Sequence, residues 1–159
     1  MSTSPRGGAG PLGFLITNST ISHNNAANGA GLYNNTFDTT TVQNTGIWQN
    51  TASGDGGGVF NGAGTLVIES STVLGNNAGG NGGGVCSDAT STTLTDVTLS
   101  YNTAGAKGGG FYLKAGTLTT NNGVISDNNA ASGTAYYWVI GANYIWNGTI
   151  IFGTAVQGP

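Results

Sequence analysis

Six carboxylates, one histidine and one cysteine are the side chains from which an active site in this chain would have to be built. A polysaccharide lyase needs carboxylates clustered around a calcium ion and a base that removes a proton. A glycosidase needs two carboxyl groups facing each other across the sugar. The six acids are Asp38, Asp55, Glu69, Asp88, Asp96 and Asp127, with His23 and Cys86 beside them, scattered over more than a hundred positions. Whether any of them meet depends on how the backbone returns on itself, and a repeat decides that.

Asn recurs at 24, 50, 76, 102 and 128, and Ala two places later at 26, 52, 78, 104 and 130, a constant period of 26 residues. An aliphatic residue stands three places before each Asn (Ile21, Ile47, Val73, Leu99, Ile125), and Ile16, Val42, Ile68, Leu94 and then Thr120 stand eight before it. After each Asn-x-Ala comes a small-residue cluster such as Gly82-Gly83-Gly84. One apolar residue follows it: Leu32, Val59, Val85, Phe111 or Tyr136. A period of this length signals a solenoid. Gly supplies 30 of 159 residues, and Thr, Ser and Asn are abundant, so the units are strands and turns rather than helices. In one copy, Leu66 and Ile68 alternate inward against outward Val67 and Glu69. Thr72-Val73-Leu74 reads as a second strand and Gly84-Val85-Cys86 as a third. Three strands and three corners per coil predict an all-β parallel solenoid of about six coils, about 29 Å long at the spacing of paired strands. The expectation is one domain over 1–159: an incomplete first coil in 1–13, regular coils in 14–138, and a divergent aromatic-rich last coil in 139–159.

The Gly-Gly-Gly-Val, aliphatic-x-x-Asn and Asn-x-Ala columns resemble the right-handed parallel β-helix repeats of the pectate-lyase-like superfamily, most closely those of polymorphic outer-membrane proteins and autotransporter passengers. The resemblance implies right-handed winding. It covers about residues 14 to 138, with aliphatics where that family has Phe before x-x-Asn. It leaves function open, because the superfamily includes adhesins, tailspikes and lyases.

Placed in the 26-residue frame, the six acids fall in six different columns, so neither a calcium cluster nor a carboxylate pair assembles. His23 shares a column with Gln49, Gly75, Tyr101 and Asp127 and has no nucleophile arranged beside it. Gly105-Ala106-Lys107-Gly108 lacks the spacing and following helix of a phosphate loop. The expectation is a non-enzymatic protein with no catalytic residue, metal or cofactor. Three cations (Arg6, Lys107, Lys114) and a net charge of −3 exclude a nucleic-acid stripe, and no apolar run is long enough to span a membrane. Cys86 is alone, so no intrachain disulfide forms. Low charge and richness in Asn, Thr and Gly suit an extracellular or cell-surface location, although Met1 to Gly13 does not read as a signal peptide.

Three groups of residues remain as candidate sites. No capping helix is readable at either end, so head-to-tail self-association is expected. Tyr136, Trp138, Tyr144, Trp146 and Phe152 would form one face, with Gly10, Leu12, Phe14 and Leu15 of the next copy as its complement. Tyr33, Phe60, Tyr112 and Tyr137, in one column with Cys86, form a candidate outward aromatic stripe for a glycan or a neighbouring rod. Asn24, Asn50, Asn76, Asn102 and Asn128 are expected to form a structural ladder, as are Asn18, Asn44 and Asn122 at another corner. Asn18, Asn34 and Asn147 are glycosylation sequons. The expected function is a subunit of a filament or surface rod. The alternatives are a fragment of a larger adhesin or autotransporter passenger contacting a glycan or host surface, and, further back, a lyase or tailspike piece or an ice-binding protein. The last is set back because Thr20, Thr72 and Thr98 are interrupted by Gly46 and Val124, and because the two-abreast pair Thr93/Thr95 occurs once.

Overall fold

The computed structural model describes residues 13–159, which form strands and turns without a helix, wound into a parallel β-solenoid of about 5 turns at a spacing of about 26 residues. Each regular coil contributes to four sheets rather than to three. The first sheet stacks Phe14–Thr17, Thr39–Gln43, Thr65–Glu69, Ser91–Thr95, Thr117–Asn121 and Asn143–Asn147. The second stacks Thr20–Ser22, Gly46–Trp48, Thr72–Leu74, Thr98–Ser100, Val124–Ser126 and Ile150–Ile151. The third, which sequence reading missed, holds five strands: Asn25–Ala26, Thr51–Ala52, Asn77–Ala78, Thr103–Lys107 and Asn129–Ser132. The fourth runs Leu32–Asn34, Val59–Asn61, Val85–Ser87, Phe111–Leu113, Tyr136–Val139 and Ala155–Gly158. Two residues are too short to show alternation, so the Asn-Ala strands read as a corner.

Register follows the repeat. Val73 lies between Ile47 and Leu99, and Ile68 between Val42 and Leu94, so aliphatic residues stack on aliphatic along the axis, whereas the neighbouring inward column alternates Thr40 and Thr92 with Leu66 and Leu118. In the first sheet the four five-residue strands from Thr39–Gln43 to Thr117–Asn121 bury their second and fourth residues, as pleating requires. Val42, Ile68 and Leu94, with Ile47, Val73, Leu99 and Ile125 from the second sheet and Val59, Val85 and Phe111 from the fourth, fill a continuous core. Ala52, Ala78 and Ala104 close it on the third side, where only small side chains fit. Thr120 replaces an aliphatic in this column and remains buried because its hydroxyl meets the Tyr144 hydroxyl at 3.0 Å.

The Gly clusters make the corner between the third and fourth sheets. Gly82 sits at φ +65°, and a Cβ on Gly83 would lie 2.4 Å from the Thr103 carbonyl oxygen. Only Gly permits both the left-handed turn and the coil-to-coil approach. The outer face of the first sheet is regular too. Its ranks present Thr39 and Thr41, Thr65 and Val67, Ser91 and Thr93, and Thr117 and Thr119, all half-buried and in unbroken register.

Regularity ends with the last coil. After Ile150–Ile151 the chain omits a strand of the third sheet, and Thr154 bonds Thr134, 20 residues back. Ile151 does pair with Ile125, as the period requires, but Thr154 does not stack on Asn128.

Candidate functional site

The last coil presents an open apolar end. Tyr144 enters the core column through Leu118, and Trp146 follows two residues later in the column of Thr120. Tyr136 packs against Tyr144 with ring centroids 4.7 Å apart, and against Trp138 at 5.3 Å. Burial holds the Tyr136 and Tyr144 hydroxyls above the usual phenol range, for Tyr144 against the opposing pull of its Thr120 hydrogen bond. The Trp146 indole N–H donates to the Thr149 carbonyl, which fixes the ring across the end of the coil. Tyr136, Tyr144 and Trp146, with Gly148, Thr149, Ile150, Ile151 and Ala155, line an apolar cavity of about 550 Å³. Trp146 is 60% exposed, Phe152 61% and Ile150 55%, a cluster of large apolar groups facing solvent.

At the opposite end, Phe14 and Leu15 are 56% and 59% exposed. Phe14 is in the inward column with Thr40 and Leu66, so its exposure marks the end of the core rather than an outward-facing position. Of the expected interface residues, Tyr136, Trp138 and Tyr144 are half-buried against their own core, whereas Trp146, Phe152, Phe14 and Leu15 are free. Gly10 and Leu12 lie outside the described residues. The first and last strands of the first sheet are both edge strands.

The aromatic stripe is corrected in part. Its column faces away from the main core, as strand alternation requires, but most of it is covered. Cys86, Tyr112 and Tyr137 are buried and form a second small core with Phe60, Val139 and Val156. Lys107 lies over the Tyr137 ring at 4.6 Å, and burial pushes the Cys86 thiol far above the ordinary thiol range. Only Tyr33 is well exposed, and it stacks on Phe60 at 5.2 Å with planes 7° apart. Rings stacked face to face along the axis turn their edges outward, the wrong presentation for a sugar ring that packs on an aromatic face.

The central Asn ladder is present. Asn50 donates its backbone N–H and side-chain amide to Asn76 Oδ1, both at 3.0 Å, and Asn76 does the same to Asn102, which does the same to Asn128. Each amide reaches back as well, to the carbonyl of the aliphatic residue of the preceding coil: Ile21, Ile47, Val73 or Leu99. Asn24 ends the ladder in an exposed position. Asn18, Asn44 and Asn122 form no such ladder among the described residues. They hold left-handed corners at φ 50°, 50° and 51°, a conformation that Asn tolerates. An unforeseen pair, Asn34 and Asn61, bonds at 2.7 Å beneath the fourth sheet. It escaped the 26-residue frame because the two are 27 apart. Asn34 is buried and bonded, so of the three sequons only Asn18 and Asn147 are exposed in the fold.

The acids are engaged one at a time. Asp55 Oδ1 accepts from the Asn81 backbone and side-chain amides, Asp88 pairs with Lys114 at 2.6 Å, and Glu69 accepts from Gln43 at 2.9 Å. Asp96 and Asp127 occupy left-handed corners, and exposed His23 lies edge-on to Trp48. Among the described residues no three acids, histidines or cysteines gather as a metal set. Compared with protein-family models, curated proteins and solved structures, the chain has no match.

Proposed function

We propose that this chain is a non-enzymatic, extracellular structural β-solenoid that stacks end to end into a filament or surface rod. The carrying observation is the chemical continuity of its two ends. Following the pairing register, Tyr144 belongs to the column that begins with Phe14, Ile145 to that of Leu15, and Trp146 to that of Ile16. In the second sheet Ile151 ends the column begun by Ile21. A second copy placed one coil beyond the last sets Phe14 on Tyr144, Leu15 on Ile145 and Ile16 on Trp146. This removes large apolar surface from water and gives the unpaired edge of Asn143–Asn147 a partner. The contact runs through three sheets, because the third stops one strand short. Such a contact is heterologous, so it propagates instead of closing.

This reading includes the right-handed winding and the kinship with polymorphic outer-membrane and autotransporter-passenger repeats that the sequence resembles. The same column match suits a second arrangement, in which the chain is a segment of a longer adhesin or passenger and the next coil belongs to the same polypeptide.

Negative-stain electron microscopy of the purified chain over a concentration series separates the two. Polymerisation gives uniform rods many subunits long, abolished by Trp146→Asp at one end and by Leu15→Asp at the other. Discrete single particles at every concentration refute the filament and leave the longer-chain arrangement.

A further inference from the structure

We propose that the outward face of the first sheet is an ice-binding surface. Its columns through Thr39 and Thr41 run over four ranks to Thr117 and Thr119, and beyond them Leu15 and Ile145 stand at the two ends of the Thr41 column and Asn143 at the far end of the Thr39 column. Over these four ranks every position but Val67 is Thr or Ser, and Val67 has the shape of Thr with a methyl in place of the hydroxyl. Register passes through the four strands without a shift. The hydroxyls therefore form a two-dimensional array, about 4.8 Å apart along the axis and about 6.7 Å apart across it, the two repeats of a pleated sheet. Threonine is stiff about its first side-chain torsion, so ordering its hydroxyl in such an array costs little freedom.

The use made of these hydroxyls distinguishes this face from a ladder that serves the fold. The inward threonines of the same strands are all engaged: Thr40 donates to Asn34, Thr92 meets Asn61 and Ser87, and Thr120 meets Tyr144. The outward hydroxyls of these two columns have no hydrogen-bond partner within the chain among the described residues, so their partners are water. Glu69, beside the array, is the only ionisable group on this face in these four ranks, and Gln43 holds it. A lattice of fixed, uncharged hydroxyls separated by methyl groups orders its first water layer at the spacing of the sheet. An ordered layer that already matches a crystal joins it with little further loss of freedom. Among the described residues no other face offers this, and the third sheet presents a single outward column in which Thr51 and Thr103 alternate with Asn25, Asn77 and Asn129. Trp48 and Leu74 interrupt the second sheet, and the fourth is aromatic. Of the two features the sequence offers, the Thr20, Thr72 and Thr98 column belongs to that interrupted second sheet, and the pair Thr93 and Thr95 lies on the first, with Thr93 in the array and Thr95 in the column of Glu69.

Nanolitre osmometry of the purified full chain tests the proposal through the shape of ice crystals and the gap between melting and freezing. The expected result is faceted crystals with a measurable gap, unchanged in Thr98→Tyr on the second sheet and abolished in Thr93→Tyr at the centre of the array. Val67→Thr completes the array and widens the gap, which provides a second reading independent of whether Thr93→Tyr folds. Circular dichroism confirms the fold of each variant. Round crystals with the native chain overturn the proposal, as does equal activity in folded Thr93→Tyr, or a gap that Val67→Thr leaves unchanged. Retention on crystalline cellulose or chitin without any effect on ice likewise overturns it, since the array then recognises a sugar lattice.

Discussion

Replacing Asn76 with alanine removes the middle rung of the ladder, and its cost can be worked out bond by bond. The Asn50 backbone N–H loses its acceptor and the Ile47 carbonyl loses its side-chain donor, both in the interior. Asn50 Nδ2 keeps only Ile21, and Asn102 Oδ1 keeps only the backbone N–H of residue 76. A buried polar group left without a partner costs about 1–3 kcal/mol. The Asn50 N–H is left wholly unpaired, whereas the Ile47 carbonyl keeps the ladder bond of its strand, so the loss is about 1–3 kcal/mol, or a fall in Tm of roughly 2–12 °C for a chain of this size. Asn24→Ala is the matched control. It is the same residue in the same column, but it lies in the exposed first coil, donates to Asn50 and serves as acceptor to no further rung, so its loss stays below about 1 kcal/mol. Urea unfolding of native chain and both variants, followed by circular dichroism, measures the difference. Equal midpoints for Asn76→Ala and Asn24→Ala would refute the reasoning, and would mean that water enters the core wherever a rung is missing.

Two further predictions follow from burial. Cys86 sits under Phe60 and Tyr112 with its thiol held protonated, so at pH 8 it resists a thiol reagent in native buffer and reacts fully once urea unfolds the chain; prompt native labelling contradicts the packing. Tyr112, Tyr136 and Tyr144 have phenols raised above their ordinary value of 10.0, chiefly by burial, so the neutral forms belong to the fold. The stability they contribute is complete below pH 10 and is lost as pH climbs through the raised values. The urea midpoint therefore falls steeply above pH 10, with phenolate absorbance rising in step, whereas a flat midpoint to pH 12 denies the effect.

The repeat made most of this fold legible. Columns such as Ile47, Val73 and Leu99 name the inward face directly, and the five Asn residues name the ladder, because in-register stacking turns a sequence period into a contact. The third sheet was hidden because Asn77-Ala78 is shorter than one period of alternation. The burial of Tyr112 and Tyr137 was hidden because strand alternation gives only which side a residue faces. What covers that side comes from other strands: Lys107, at the end of a third-sheet strand, over Tyr137, and Val156 of the fourth sheet against the same small core. The column Thr39, Thr65, Ser91 and Thr117 stands at the common period, but its neighbour through Thr41, Thr93 and Thr119 is broken in sequence by Val67, and only pairing shows the two side by side. The shortened last coil had no counterpart in the period from which to be read.

The bonds that join one coil to the next run along the axis of the rod, and the described chain starts in the first coil and finishes in the last. Tension applied between those two ends therefore loads the ladders lengthwise, one coil after another, instead of shearing many strands at once. Each regular coil that lets go converts a rise of about 4.8 Å into a free strand of 26 residues, a gain of roughly 80–90 Å. Under load the molecule acts as an extensible tether, which lengthens in even steps and dissipates force at each one.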